Sequence, residues 1–186
     1  MTNKNTENSN AHQASDREFR YCPKCAEELR YRLVEHQTRP ACIACNFILY
    51  QNPKAVAVAL VQKSGEILLI RRGNRPKHGY WSFPTGFIDI GETPAETAIR
   101  EAKEEANVEI KLERLLGVYS DKQRAVILIV HVGTIVSGVP TGSAEALDAR
   151  LFHPKSLPNL AFEHDYHILQ DLYKTTKQGM SNPVFL

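Results

Sequence analysis

Three glutamates crowd one short stretch, Glu101, Glu104 and Glu105 in PAETAIREAKEEA. That stretch reads as a helix. Thr93 is placed to cap it, Pro94 takes its first position, and Glu96 closes a capping box with Thr93. At about 100° per residue the three carboxylates span roughly 100° of one face. Glu101 then faces Glu104 at i,i+3 and Glu105 at i,i+4. Like charges at those spacings cost a few tenths of a kcal/mol each. Two explanations stand. The glutamates form a solvated surface relieved by Arg100 and Lys103, or they hold a hard divalent cation that prefers oxygen ligands. On a neighbouring face, Ala95, Ile99, Ala102 and Ala106 fall within about 60° and are expected to pack closely on a sheet.

A second cluster is chemically different. The chain has four cysteines, Cys22, Cys25, Cys42 and Cys45, arranged as CPKC and CIAC. Each CxxC offers two thiolates on a tight knuckle, and two knuckles close a tetrahedral zinc site. The intervening AEELRYRLVEHQTRPA fits a short ribbon of strands with almost no apolar core. Metal binding, roughly 10–16 kcal/mol in small zinc-folded peptides, would supply its folding free energy. A redox CxxC would need a thioredoxin-like βαβ context, which is missing.

The elements that position these groups follow from periodicity. KAVAVALVQK and EILLIR flank Ser64-Gly65 as strand, turn and strand. A basic loop, RGNRPKHGYW, and a glycine-punctuated segment, SFPTGFIDIGE, lead into the helix. VEIKLERLLGVYS, AVILIVHVGTIV and ALDARLFHP read as strands, and FEHDYHILQDLYKTTK as a last amphipathic helix. Strands interleaved with two helices imply an α/β domain, a mixed sheet covered on both faces. Residues 1–17 are polar throughout and are expected to form a disordered tail. Residues 18–52 form the ribbon, and 53–186 the main domain. With 23 basic and 21 acidic residues the net charge is only +2, which disfavours a dedicated nucleic-acid binder. No apolar run is long enough to span a bilayer, and the N-terminal stretch lacks the apolar core of a signal peptide, so a cytoplasmic location is expected.

Gly86 to Val108, GFIDIGETPAETAIREAKEEANV, resembles the box of the Nudix hydrolase family. Six of that box's seven fixed polar or glycine positions match. The departure is Asn107 where the family has glycine, and Asn also suits a left-handed helix cap. Ala102 replaces a larger aliphatic. The resemblance implies a Nudix α/β/α sandwich. It extends over residues 20 to about 177, through CPKC…CIAC, YQNPK and HGYWSFPTGF, to a zinc-ribbon branch shared with NADH pyrophosphatases. The SQPWPFP string of those enzymes is missing; after Val118 the chain reads YSDKQRAVILIV. The layout, with LPNLAFEHD near the C-terminus, is more similar to FAD and ADP-ribose pyrophosphatases.

Family resemblance implies hydrolysis of a nucleoside diphosphate linked to a moiety X, here FAD or ADP-ribose, with release of AMP. NADH pyrophosphatase or removal of NAD caps is the nearest alternative. A nucleotide sensor is a further one, set against the retained glutamates. Glu101, Glu104 and Glu105 would hold Mg²⁺ or Mn²⁺, and Glu104 or Glu105 would act as general base. The backbone carbonyl near Gly86 and a carboxylate beyond the box, Glu145 or else Asp148, are further ligands. Arg100 would orient a glutamate, and Glu92 would brace the loop before the helix. Arg71 and Arg72, with Arg75 and Lys77, are candidates for the phosphates. Trp81 and Phe83 are candidates for stacking on a ring, or for core packing. Phe162 and Tyr166 are expected on one face of the last helix against the sheet, with a pocket role as the alternative. A homodimer and a small nucleotide as partner complete the expectation.

Overall fold

A computed structural model describes residues 19–178. The chain divides into two compact units between Asn52 and Pro53. The proposed tail of residues 1–17 lies outside the described residues.

The first unit is a hairpin on two knuckles. Strands β1 (Leu29–Val34) and β2 (Gln37–Cys42) pair antiparallel from Val34↔Gln37 to Leu29↔Cys42. Glu35 and His36 both adopt positive φ, as a two-residue turn between right-twisted strands requires. The knuckles repeat each other: Cys22 N–H donates to the Glu27 carbonyl and Cys42 N–H to the Phe47 carbonyl, both at 2.7 Å. Ala26 and Asn46, each directly after a second cysteine, both sit at positive φ. Little apolar surface is buried here beyond Cys22, Ala41 and Cys42, while Tyr31 and Leu33 are exposed. Such a unit cannot be held by a hydrophobic core.

The second unit is a sheet between two helices. It comprises β3 (Lys54–Lys63), β4 (Glu66–Arg72), β5 (Trp81–Ser82), β6 (Thr85–Phe87), α1 (Pro94–Ala106), β7 (Glu109–Asp121), β8 (Val126–Ser137), β9 (Ala146–Phe152) and α2 (Glu163–Gln178). The strand order is β5-β4-β3-β8-β7, with β6 also on β3 and β9 on β4. β3 and β8 are parallel and the other pairs antiparallel, so the sheet is mixed. Strands β3 and β4 pair at Gln62↔Ile67 and Lys63↔Glu66, next to their turn. Further along, β6 takes the place beside β3, at Val56–Val58.

Alternation along β3 explains the two cores. Val56, Val58 and Leu60 join Phe83, Leu128, Ile168 and Leu172 on one face. Ala57, Ala59 and Val61 meet Ala98, Ala102 and Ala106 of α1 on the other. Alanine against alanine lets α1 approach the sheet closely.

The start and stop signals of α1 hold. Thr93 caps it in a capping box with Glu96, and Asn107 ends it in the left-handed conformation. Its buried face differs from the expected one. Ile99 is exposed, and Ala98 takes the place assigned to Ala95 and Ile99 beside Ala102 and Ala106. This rotation brings Thr97, Glu101 and Glu105 to the buried side. The last helix also differs: α2 starts at Glu163, so Phe162 precedes it, while Tyr166 is exposed and its hydroxyl accepts the Leu160 N–H at 3.1 Å.

Candidate functional site

The short strand β6 and the buried edge of α1 meet at two carboxylates. The Thr85 N–H donates to Glu105 Oε2 at 2.8 Å, and the Thr85 hydroxyl ties β6 to the Ala57 carbonyl of β3 at 2.9 Å. Gly86 follows. A Cβ there would collide with the Glu101 carboxylate, so only glycine leaves room for it. Gly86→Ala is therefore expected to displace Glu101 and lower turnover about 100-fold. Steady-state kinetics, with a thermal melt to establish folding, would check this.

Arg100 ties the acidic groups together. Its Nε and Nη2 donate to the two Glu92 oxygens at 2.7 and 2.9 Å, and Nη2 also to the Phe87 carbonyl at 3.3 Å. Nη1 donates to Glu101 Oε1 at 2.7 Å and Glu104 Oε2 at 2.8 Å. Glu92 takes the Thr97 hydroxyl and the Asp89 N–H as well. The Arg100 guanidinium, with those donors, holds the Glu92 carboxyl down at about 2. Glu92 is thus tied to the loop at Asp89 and to Arg100, which in turn bonds Glu101.

Glu101 and Glu105 are 6% and 8% exposed, whereas the Glu104 side chain is 43% exposed. Burial pushes both buried carboxyls up, Glu105 to about 8, and the nearby Glu145 charge adds to both shifts. Crowded, desolvated carboxylates are costly until a cation joins them. The all-oxygen set around a Cβ-free cradle at Gly86 fits a hard divalent ion. Arg100 Nη1 bridges Glu101 and Glu104.

The sign of the resulting pH effect is fixed. A carboxyl near 4.5 when unfolded and about 8 when folded contributes stability below about pH 4.5 that is lost as pH rises through about 8. Relative to Glu105→Gln, chelated protein is expected to lose thermal stability across that window. Saturating Mg²⁺, which favours the ionised carboxylate, should reverse the loss. Melting curves at stepped pH would check both.

Glu101, Glu105 and Glu145 line a cavity of about 360 Å³ together with Thr85, Gly86 and Phe87. Its floor is apolar, from Val56, Val58, Val126 and Leu128, and its other polar groups are Arg72, Asn74, Ser82, Arg124, His164 and Asp165. Phe162 completes the wall. Burial raises the Asp165 carboxyl to about 7 even though it accepts from the Ser82 hydroxyl and the Phe162 N–H.

The candidates read from the sequence divide between inside and outside. Arg72 and Glu145 line the cavity. Asp148 does not; it pairs with Arg150 at 2.7 Å. Arg71 donates to the Gly79 carbonyl and, with Trp81, lines a separate hollow alongside His78, Tyr80 and Asn159. Trp81 also meets Phe152 edge-on at 4.7 Å. Phe83 is 1% exposed inside the core, so it offers no ring face for stacking. It follows β5 directly, and the apolar core claims it. Lys77 lies over Tyr80, outside the cavity. Sequence reasoning missed Phe87, Arg124, His164 and Asp165 as cavity residues, and placed Phe162 on the sheet. Nothing in the local pattern of these five distinguishes them from ordinary turn, strand-end and helix-start residues.

In the first unit the four sulfurs lie within 4.8 Å of one another. Cys22 Sγ stands 3.6 Å from Cys45 Sγ, and Cys25 Sγ 3.4 Å from Cys42 Sγ. The Lys24 N–H points at Cys22 Sγ at 3.4 Å. This is the donor set and spacing of a structural tetrahedral site.

Comparison with known proteins places this geometry among relatives. A family model for the NUDIX domain matches residues 51–172. An ADP-ribose pyrophosphatase from Methanocaldococcus jannaschii is 38% identical over 135 residues, 70% of this chain and 79% of that one. NAD-capped RNA hydrolase NudC from Pseudomonas aeruginosa is 26% identical over 171 residues, 90% of this chain and 60% of that one. Human 8-oxo-dGDP phosphatase NUDT18 is 32% identical, and the chain spans 42% of it. Among solved structures, a NUDIX hydrolase from Nitrosomonas europaea superposes with a TM-score of 0.83 at 27% identity, covering 90% of this chain and 97% of that one. No described helix is long and apolar enough to cross a membrane.

Proposed function

This chain belongs to the NUDIX family, and from that premise we propose that it is a divalent-ion-dependent pyrophosphohydrolase of ADP-ribose-like substrates. The observation that carries this reading is the cavity itself. Buried carboxylates and guanidinium groups share one apolar-floored hollow, the arrangement a metal-bound diphosphate needs. The 38% identity to an ADP-ribose pyrophosphatase supports the choice of X. FAD, which shares the ADP half, is the related substrate of larger X.

Glu101, Glu104, Glu145 and the Gly86 carbonyl would hold Mg²⁺ or Mn²⁺, which neutralises phosphate oxygens and acidifies water when bound. Arg100 keeps Glu101 turned toward the cavity, and Glu92 keeps Arg100 in place. Of the two candidate bases, Glu105 lines the cavity and Glu104 does not. Glu105 would take the proton of the attacking water, with its other oxygen held by the Thr85 N–H. Water adds to one phosphorus, the P–O–P bond breaks, and AMP and the X phosphate leave. Arg72 would hold the diphosphate from its own wall. The four cysteines would hold a structural zinc ion, and the protein would act as a homodimer.

One observation favours a second reading. The match to NAD-capped RNA hydrolase NudC covers 90% of this chain and so includes the cysteine unit. Turnover of ADP-ribose, FAD, NADH and NAD-capped RNA in Mg²⁺ separates the two. ADP-ribose or FAD is expected to give the highest kcat/KM. A lead for NADH or capped RNA would transfer the assignment to the second reading.

A further inference from the structure

The cavity wall from the β7–β8 turn and the start of α2 holds unspent positive charge. Asp121 fixes that turn: its Oδ1 accepts the N–H of Gln123 at 3.0 Å and of Arg124 at 3.1 Å. Its Oδ2 stands 3.5 Å from Arg124 Nη1. The Arg124 guanidinium lies over the Phe162 ring, 3.7 Å from its centroid, and the Arg72 guanidinium lies 5.0 Å from the same centroid. Two like charges therefore converge on one ring.

Neither guanidinium is saturated. Arg72 donates one hydrogen bond, to the Pro76 carbonyl at 3.2 Å, and has no ion pair among the described residues. The Arg124 side chain makes no hydrogen bond among them and keeps one loose ion pair. A guanidinium carries five donors. Asp165 lies within electrostatic reach of both guanidinium groups but forms no ion pair with either among the described residues. Asp165 spends its oxygens on the Ser82 hydroxyl and the Phe162 N–H. His164 stacks on Phe162 at 5.0 Å and lies between Asp121 and Asp165, at 3.5 and 3.6 Å. Burial lowers its basicity, so it adds no charge near neutral pH.

We infer that Arg124 is a substrate-binding residue: with Arg72 it grips the diphosphate at the phosphate farther from Glu101 and Glu105. This rests on the pyrophosphohydrolase reading above. A phosphate has the several acceptor oxygens and the charge that two converging guanidinium forks require. Arg72 is within electrostatic reach of both Glu105 and Arg124, so one short diphosphate can bridge the acidic and basic groups. Stacking on Phe162 and pairing with Asp121 hold the Arg124 plane ready before substrate arrives, which limits the ordering cost of binding.

The test is calorimetric titration of ADP-ribose into full-length, zinc-loaded Glu105→Gln protein in Mg²⁺. Turnover is blocked there while the cavity is kept. Adding Arg124→Ala is expected to weaken binding about 10- to 100-fold. Arg124→Lys should recover part of this, because it restores charge without the planar fork. Lys122→Ala, exposed in the same turn, should change nothing. In otherwise native enzyme, Arg124→Ala should raise KM by a similar factor with kcat within a few-fold. Unaltered affinity in Arg124→Ala, with the parent binding normally, would overturn the inference alone. A parent that binds none of ADP-ribose, FAD or NADH would overturn the pyrophosphohydrolase reading and the inference with it.

Discussion

Glu105→Gln is expected to lower AMP release from ADP-ribose by at least about 100-fold, the lower range for loss of a positioned general base. The substitution keeps the shape of the side chain, and the amide oxygen can still accept the Thr85 N–H. It removes the proposed general base and one negative charge beside Glu101. Metal-free stability should not fall, since a buried carboxyl pushed up to about 8 costs the native state at neutral pH. A variant that is as stable as the parent, still binds ADP-ribose, and is inactive separates chemistry from folding. Glu104→Gln should cost less at saturating Mg²⁺, because it removes one exposed candidate metal ligand and leaves Glu105 in place. Equal losses in the two variants would reassign the base.

The second large effect concerns the cysteine unit. Cys42→Ser, or a strong zinc chelator, is expected to unfold residues 19–52 while the sheet unit stays folded. Zinc sites of this type contribute roughly 10–16 kcal/mol. Against that, the unit buries little beyond Cys22, Ala41 and Cys42 and leaves Tyr31 and Leu33 exposed. Nothing else in it offsets the conformational entropy of its hairpin. Hydrogen exchange reads the outcome directly. Protection of β1 and β2 amides should vanish on chelation, while β3 and β8 amides, at the centre of a sheet with cores on both faces, keep theirs. Metal analysis of the untreated protein should find one zinc ion per chain. Continued protection of β1 and β2 without metal would contradict a structural site.

Local chemistry made much of this readable from the residues. The Thr93–Glu96 capping box, the Asn107 stop and the long strands follow from short-range preferences and periodicity, and all recur in the fold. The cysteine knuckles were legible because spacing alone decides which thiols can share an ion. The buried side of α1 was misjudged because it is set by how the helix lies on β3, a partner that helix periodicity does not name. Gly86 was legible as a box glycine and carbonyl ligand, but the room it leaves for the Glu101 carboxylate emerges only in the fold. Phe83 is taken into the core just beyond β5, and Arg71 lines a different hollow from its β4 neighbour Arg72. Arg124 and Phe162 were illegible for a different reason. They lie 38 residues apart in sequence and meet only after the β7–β8 turn folds against the entry to α2.

The most direct test is to follow ADP-ribose hydrolysis by zinc-loaded protein with phosphorus NMR, in Mg²⁺ and after Mg²⁺ removal. AMP and ribose 5-phosphate in equal amounts, formed in Mg²⁺ and not without it, is the expected result. Intact ADP-ribose, FAD and NADH after long incubation of folded, Mg²⁺-bound protein would contradict the assignment of this cavity as a pyrophosphohydrolase centre.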